Sequence, residues 1–245
     1  MNGAFPYPAD VVREPASYRS LQPMAVDPSQ VEAAAALLRD AAFPVIHAGS
    51  GIVHSQAAAQ LAAVAEALSA PMTCSWGARG VLDESSPLAI PNSTMNAAKS
   101  ARTRSDLFLV LGSRVGETDW WGRGHQWGGS QPAIPKRCIQ VDIDGEIIGR
   151  NRPADLAIVG DVKVVLNALL RALQQEPVAE QTLLSRAAIV SELAAEKATS
   201  RAELDAALAS EDTPMHPAHV PTIARKVFGD DGMLVIDGGN TAVWC

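Results

Sequence analysis

The sequence predicts an α/β fold: a parallel sheet with helices on both faces, followed by a helical linker and the truncated beginning of a second α/β domain. Three observations predict it. Short apolar runs that end in glycine or aspartate alternate with stretches of helical period. One run, Leu107-Phe108-Leu109-Val110-Leu111, is apolar without interruption, as a strand buried on both faces should be. The 47% hydrophobic content is carried mostly by Ala, Val and Leu with only 4% aromatics, the small aliphatic side chains that helices use to pack on a sheet.

Residues 1–26 hold Pro6, Pro8, Pro15 and Pro23 and no apolar period, which makes them a linker or extended arm. Asp27-Pro28-Ser29-Gln30 then starts a helix, with an acidic N-cap, Pro at the first helical position, and Val31, Ala34, Leu37 and Leu38 at helical spacing. An apolar run over 43–48 around Val45-Ile46 ends in Gly49-Ser50-Gly51, and Leu61, Val64, Ala65 and Leu68 give the next helix. Strands follow at 71–76, 107–111, 138–143 and 156–159, and Asp161 caps a helix whose inner face is Val162, Val165, Leu166 and Leu169. Residues 27–175 thus form one Rossmann-like domain. The stretch 176–214 is rich in Ala, Glu and Leu, and Leu183, Leu184, Ile189, Leu193, Leu204 and Leu208 are spaced as on helices that cross between domains. Residues 215–245 hold a further helix to Phe228-Gly229 and a strand, Met233-Leu234-Val235-Ile236, that runs into Asp237-Gly238-Gly239-Asn240.

Several classes are excluded. A net charge of -7 with no dense Lys/Arg run lacks the footprint of a nucleic-acid binder. No stretch approaches the ~20 apolar residues of a membrane span, and Pro6, Pro8 and Asp10 interrupt any signal-peptide core, so the chain reads as cytoplasmic. Cys74, Cys138 and Cys245 are too few and too scattered for a disulfide framework or a zinc site.

The residues that carry chemistry are fewer. Gly49-Ser50-Gly51 after a strand admits a phosphate at the following helix start, or is simply a tight turn; His54 stands where a dinucleotide fingerprint has its third glycine. Asp142 and Asp144 at a strand end suit a ribose hydroxyl, a turn or, less simply, a metal. His216 and His219 have the spacing of a helical metal pair or of a helix start, and His47 inside an apolar strand reads as a hydrogen-bonded core residue. Ser50, Ser75 and Cys74 lack a nucleophile-elbow context. Trp120, Trp121 and Trp127 lie among glycines between Arg114 and Gly129, in a loop that packs on a ligand, on another subunit or back on its own domain. Arg114 and Arg123 there suit a phosphate or carboxylate.

Taken jointly, several segments resemble the thiamine-diphosphate enzymes of the acetolactate synthase type. Val45-Ile46-His47-Ala48-Gly49-Ser50-Gly51, the stretch from Gly77-Ala78-Arg79-Gly80 to Pro87-Leu88, Leu111-Gly112-Ser113-Arg114, Val141-Asp142-Ile143-Asp144 and Ile158-Val159-Gly160-Asp161 are similar, in order and spacing, to that family's central domain over roughly 27–175. Pro6-Tyr7-Pro8-Ala9-Asp10 resembles the tail of its N-terminal pyrimidine-binding domain, and His216 onward, with Ile236-Asp237-Gly238-Gly239-Asn240-Thr241, the opening of its C-terminal diphosphate-binding domain.

The resemblance implies a longer enzyme that makes or breaks a carbon–carbon bond beside the carbonyl of a 2-oxo acid, using thiamine diphosphate and Mg²⁺. It places Gly239, Asn240 and Thr241 at the cofactor's diphosphate. The family's activating glutamate and its metal-holding Gly-Asp-Gly…Asn-Asn segment have no counterpart in these residues, so no catalytic or metal residue is assigned and the section alone is expected to be inactive. Some relatives bind FAD or ADP in the central domain, for which Gly49, Gly51, Gly112, Arg114 and Asp142 are the candidate residues here. A free-standing nucleotide-binding module is the alternative. An NAD-dependent oxidoreductase lacks both the third glycine and a Tyr-Lys or His proton donor. Family members are dimers or tetramers, which implies a homo-oligomer.

Overall fold

Asp27 opens the first helix: its carboxylate accepts the Ser29 amide at 2.9 Å, and Pro28 sits in the first turn where no amide donor is needed. The resulting α1, Pro28–Asp40, buries Val31, Ala34, Ala35 and Leu38. The computed structural model describes residues 13–17, 22–91, 94–124, 127, 136–229, 231–233 and 235.

Five strands follow the expected runs: β1 Pro44–Ala48, β2 Met72–Cys74, β3 Leu107–Leu111, β4 Arg137–Asp142 and β5 Leu156–Val159. All neighbours pair in parallel, in the order β2-β1-β3-β4-β5. Register is pinned at the amino end by Asp106, whose carboxylate accepts the amides of Ala42 and Phe43 at 2.8 and 2.9 Å and so ties the start of β1 to that of β3. The chain leaves β1 toward β2 on one side and returns to β3 on the other. The connections after β1 and β3 therefore run on to opposite sides of the sheet, and the carboxyl ends of these strands are where a parallel sheet of this order opens a crevice.

Every residue of β1 and β3 is buried, so successive side chains feed two separate cores. Ile46, Leu107, Leu109, Leu111, Ile139 and Val141 face α1, α3 (Ala58–Leu68) and α5 (Val162–Gln175). Phe43, Val45, Phe108 and Val110 face α4 (Met95–Arg104) and α6 (Glu180–Ala209). Each buried aliphatic or Phe side chain contributes roughly 1.5–3 kcal/mol, an upper bound since denatured chains already hide part of that surface. The predicted inner face of α3, Leu61, Val64, Ala65 and Leu68, is the buried one, and Asp161 caps α5 by accepting the amides of Lys163 and Val164.

Two elements depart from expectation. Helix α4 was not read from the sequence, because its buried positions are Ala97, Ala98, Ala101 and Arg102 and carry little apolar period. Residues 180–209 form one long helix, α6, whose buried residues are Arg186, Val190 and Leu193, with Leu184 turned outward. Two cations pin α6 to the domain. The Arg186 guanidinium donates to the carbonyls of Leu38 (2.8 Å), Arg39 (3.2 Å), Ala41 (2.6 Å) and Leu68 (2.9 Å), at the carboxyl ends of α1 and α3, where a positive charge complements the helix dipoles. Lys197 donates to the carbonyls of Glu84, Ser86 and Ala89.

Beyond α6 the chain enters α7, His219–Phe228, closed by Gly229 at φ +67. Among the described residues Val220, Ile223, Val227 and Phe228 of α7 remain exposed. Of the expected strand over 233–236, residues 234 and 236 lie outside the described residues and Met233 and Val235 are exposed with no strand assigned to them; residues 1–12 of the expected N-terminal arm also lie outside. No helix of the described residues is long and apolar enough to cross a membrane.

Candidate functional site

The strand ends and the loops that follow them enclose a cleft of about 830 Å³, lined among others by Gly51, Trp76, Gly112, Arg114, Asp142 and Ile147. That volume lies within the range of small-molecule sites. Four of the five residues read from the sequence as a nucleotide site, Gly51, Gly112, Arg114 and Asp142, line it; Gly49 lies behind the wall.

The glycines are where they are because two backbones cross. The Gly51 amide donates to the Gly112 carbonyl at 3.0 Å, the Gly49 amide to Leu111 at 2.8 Å and the Gly112 amide to Val141 at 2.8 Å. A β-carbon on Gly49 would sit 2.6 Å from Ser113 Cα, and one on Gly51 2.7 Å from Gly112 Cα. Gly112 itself is at φ +56, in the left-handed region that costs other residues roughly 1–2 kcal/mol. These glycines let the β1 and β3 loops touch.

The segment from Ser113 to Arg123, whose first part to Asp119 lines the cleft, is wound tightly: Val115, Trp120 and Trp121 all have positive φ (47, 55 and 50). Such backbone costs on the order of 1–3 kcal/mol per residue and persists only where surrounding contacts hold it. Here the holding group is Asp119. Its carbonyl accepts the Trp127 indole N–H at 2.6 Å, and its buried carboxylate lies 3.6 Å from His47 Nε2 and acts favourably on the buried Arg102 guanidinium. Arg102 stacks over the Trp127 ring at 4.8 Å, and burial lowers its pKa to about 10, still cationic at neutral pH.

His47 completes this knot. Its Nδ1 lies 3.1 Å from Thr73 Oγ1, and its ring meets Trp127 edge-on at 5.0 Å. At 3.6 Å the contact with Asp119 is electrostatic, beyond hydrogen-bond reach, and Nε2 has no hydrogen-bond partner. The Thr73 hydroxyl lies between Nδ1 and the Ile46 carbonyl, from which it is 3.4 Å, so its single proton can serve only one of them, while the Asp119 carboxylate favours the tautomer with the proton on Nε2. Burial holds the imidazole pKa below its usual value, only partly opposed by Asp119.

The other sequence candidates take structural positions. Asp142 Oδ1 accepts the Asp144 amide at 3.1 Å and Asp144 Oδ1 accepts that of Glu146 at 2.9 Å, a pair of side-chain turns at the cleft rim. His216 Nδ1 accepts the Ala218 amide at 3.3 Å, a helix-start role at α7. Cys74 and Cys138 are buried thiols pushed up to about 11 by burial. Of the tryptophan loop, Trp127 folds back into the core while Trp120 and Trp121 stay 53% and 47% exposed. Among the described residues no group of three or more His, Cys, Asp or Glu could hold a metal. Gly239, Asn240 and Thr241 lie outside the described residues.

Sequence reading missed Arg102 and Asp119. Arg102 sits in Lys99-Ser100-Ala101-Arg102-Thr103-Arg104, which looks like a solvated face, and Asp119 beside two tryptophans looks like loop. Their pairing comes only from the fold. The three glycine amides that a phosphate at this turn would use already serve backbone carbonyls, and Glu117, Asp119, Asp142, Asp144 and Asp161 are among the lining residues.

A family model described as thiamine pyrophosphate enzyme, central domain, matches residues 31–169, which holds all five strands. An acetolactate synthase of Mycobacterium leprae is 35% identical over 153 residues, 59% of this chain and 23% of that protein. A probable acetolactate synthase large subunit of Methanocaldococcus jannaschii is 34% identical over 150 residues, covering 60% and 24%. A probable sulfoacetaldehyde acetyltransferase of Rhizobium meliloti is 33% identical over 150 residues, covering 60% and 25%. The chain spans about a quarter of the length of the curated relatives it matches.

Proposed function

The chain belongs to the thiamine pyrophosphate enzyme family through its central domain, and from that premise we propose that it is the framework section of a longer enzyme acting on 2-oxo acids in the manner of acetolactate synthase. The complete enzyme would use thiamine diphosphate and Mg²⁺ to make or break a carbon–carbon bond beside a carbonyl. When bound, the thiazolium supplies the carbanion chemistry. This section supplies the rigid sheet that spaces the two cofactor-holding domains, with residues 1–26 and 176–214 as links to them and 215–245 opening the second. Gly239, Asn240 and Thr241 are the residues proposed to reach the diphosphate.

The observation that carries this reading is the coincidence of the family match, 31–169, with the whole five-stranded unit. The exposed stripe Val220, Ile223, Val227 and Phe228 supports it, as α7 has the face of a helix that packs under a further sheet. A homo-oligomer in the cytoplasm belongs to the same reading. Supplied with pyruvate, thiamine diphosphate and Mg²⁺, the isolated chain is expected to release no CO₂ and form no acetolactate, because the groups that ionise the thiazolium and grip the metal belong to the other sections. Turnover by rigorously pure chain would overturn the assignment of this section as framework.

A further inference from the structure

We propose that the cleft at the carboxyl ends of the sheet is closed to nucleoside diphosphates, so that this chain departs from those relatives whose central domain holds FAD or an adenine nucleotide.

The first reason is donors. A phosphate seated at a strand–glycine–helix turn is held by free backbone amides. Here Gly49, Gly51 and Gly112 donate to Leu111, Gly112 and Val141, and Asp161 has taken the Lys163 and Val164 amides at the start of α5. The helix after Gly49-Ser50, α2, is four residues long, Gly51–His54, too short for a useful dipole. Freeing the Gly49 and Gly51 amides would require the β1 and β3 loops to separate, and freeing that of Gly112 would part it from Val141 of β4. Those loops meet backbone against backbone, with no flexible side chain between them to yield.

The second reason is charge. Glu117, Asp119, Asp142, Asp144 and Asp161 line the cleft, with Arg114 as its one guanidinium among the lining residues. Setting Asp119 against its buried partner Arg102 leaves four carboxylates facing one cation. A diphosphate entering would meet a field of its own sign in a space with low-dielectric walls. Asp142 keeps the place at a strand end that suits a sugar hydroxyl. It is therefore the diphosphate that the cleft rejects, while an uncharged nucleoside meets no such barrier.

The test is calorimetric titration of the chain with FAD, ADP and adenosine at low salt and at about 0.15 M ionic strength, where surface charges are screened over ~8 Å. A cooperative melt of the same sample establishes that it is folded. The expected result is no saturable binding of FAD or ADP up to about 1 mM, with adenosine either silent or binding at least tenfold tighter than ADP. One-to-one binding of FAD or ADP below about 1 mM, or ADP tenfold tighter than adenosine, would overturn the proposal. Neither result bears on turnover of 2-oxo acids, so the family-level reading stands or falls separately.

Discussion

The carbonyl oxygen of Gly112 occupies the space that a side chain on Gly49 would need, and Ser113 Cβ stands 2.5 Å from that same point. Both obstacles are fixed by β3, so a methyl group at Gly49 must push two central strands apart. Gly49→Ala is expected to lower the melting temperature by roughly 5–10 °C or to prevent folding, since overpacking costs typically 1–3 kcal/mol and more against backbone. Gly124→Ala is the control, at φ +68 with nothing within 4 Å of a new Cβ. It should cost only the backbone term, about 2–4 °C. Thermal unfolding of the two variants checks the contrast.

Arg186 carries a different kind of load. Its side chain is the shared donor for carbonyls of α1, the turn after it, and α3, those of Leu38, Ala41 and Leu68 buried and that of Arg39 partly so. Arg186→Met keeps the length and strands those carbonyls. Each buried unpaired group costs about 1–3 kcal/mol, so a loss on the order of 3–5 kcal/mol is expected in urea unfolding. Arg186→Lys should recover only part of it, because an ammonium cannot fork across the two helix ends.

The His47 knot gives a pH dependence of definite sign. Burial lowers the folded-state pKa beneath the 6.5 of the unfolded chain, so the contribution of a neutral His47 is present above about pH 6.5 and is lost as pH falls below it. Asp142 has the opposite sign, since burial raises its carboxyl above 3.8 and its contribution is lost as pH rises through the folded value. Comparison with His47→Gln separates them. Between pH 7 and 5 the melting temperature of the wild-type chain should fall more steeply than that of His47→Gln. Parallel profiles would show that His47 is not held neutral.

Cys74 and Cys138 should behave as inert core atoms. Thiols pushed up to about 11 hold almost no thiolate at pH 8, and both are buried. Peptide mapping after iodoacetamide treatment of the native chain is expected to find both unmodified, and both modified after denaturation. Fast labelling of Cys74 in the native state would mean that the β2 edge opens.

How much of this was legible in the sequence follows from what each element uses to bury itself. Strand β3 was plain because it is apolar throughout and β1 because only His47 interrupts its apolar run, and α1 and α5 were plain because Asp27 and Asp161 cap them. Helix α4 was hidden because it buries alanines and an arginine, which have no hydrophobic signature. The glycines and Asp142 were found at the right end of the sheet, but their hydrogen bonds were not, since a spacing of glycines cannot say whether the amides face a ligand or a neighbouring loop. Arg102, Asp119 and Arg186 escaped for a common reason: a buried charge is visible only when the distant residue that compensates it is in place.

The central claim is tested most directly by exchange. Residues 31–169 would replace the corresponding central domain of the Mycobacterium leprae acetolactate synthase, and acetolactate formation from pyruvate would be measured with thiamine diphosphate and Mg²⁺. The account predicts that the assembled hybrid forms acetolactate, because this section contributes spacing and rigidity while the chemistry lies in the flanking domains. A hybrid that folds and assembles yet turns over no 2-oxo acid would contradict it.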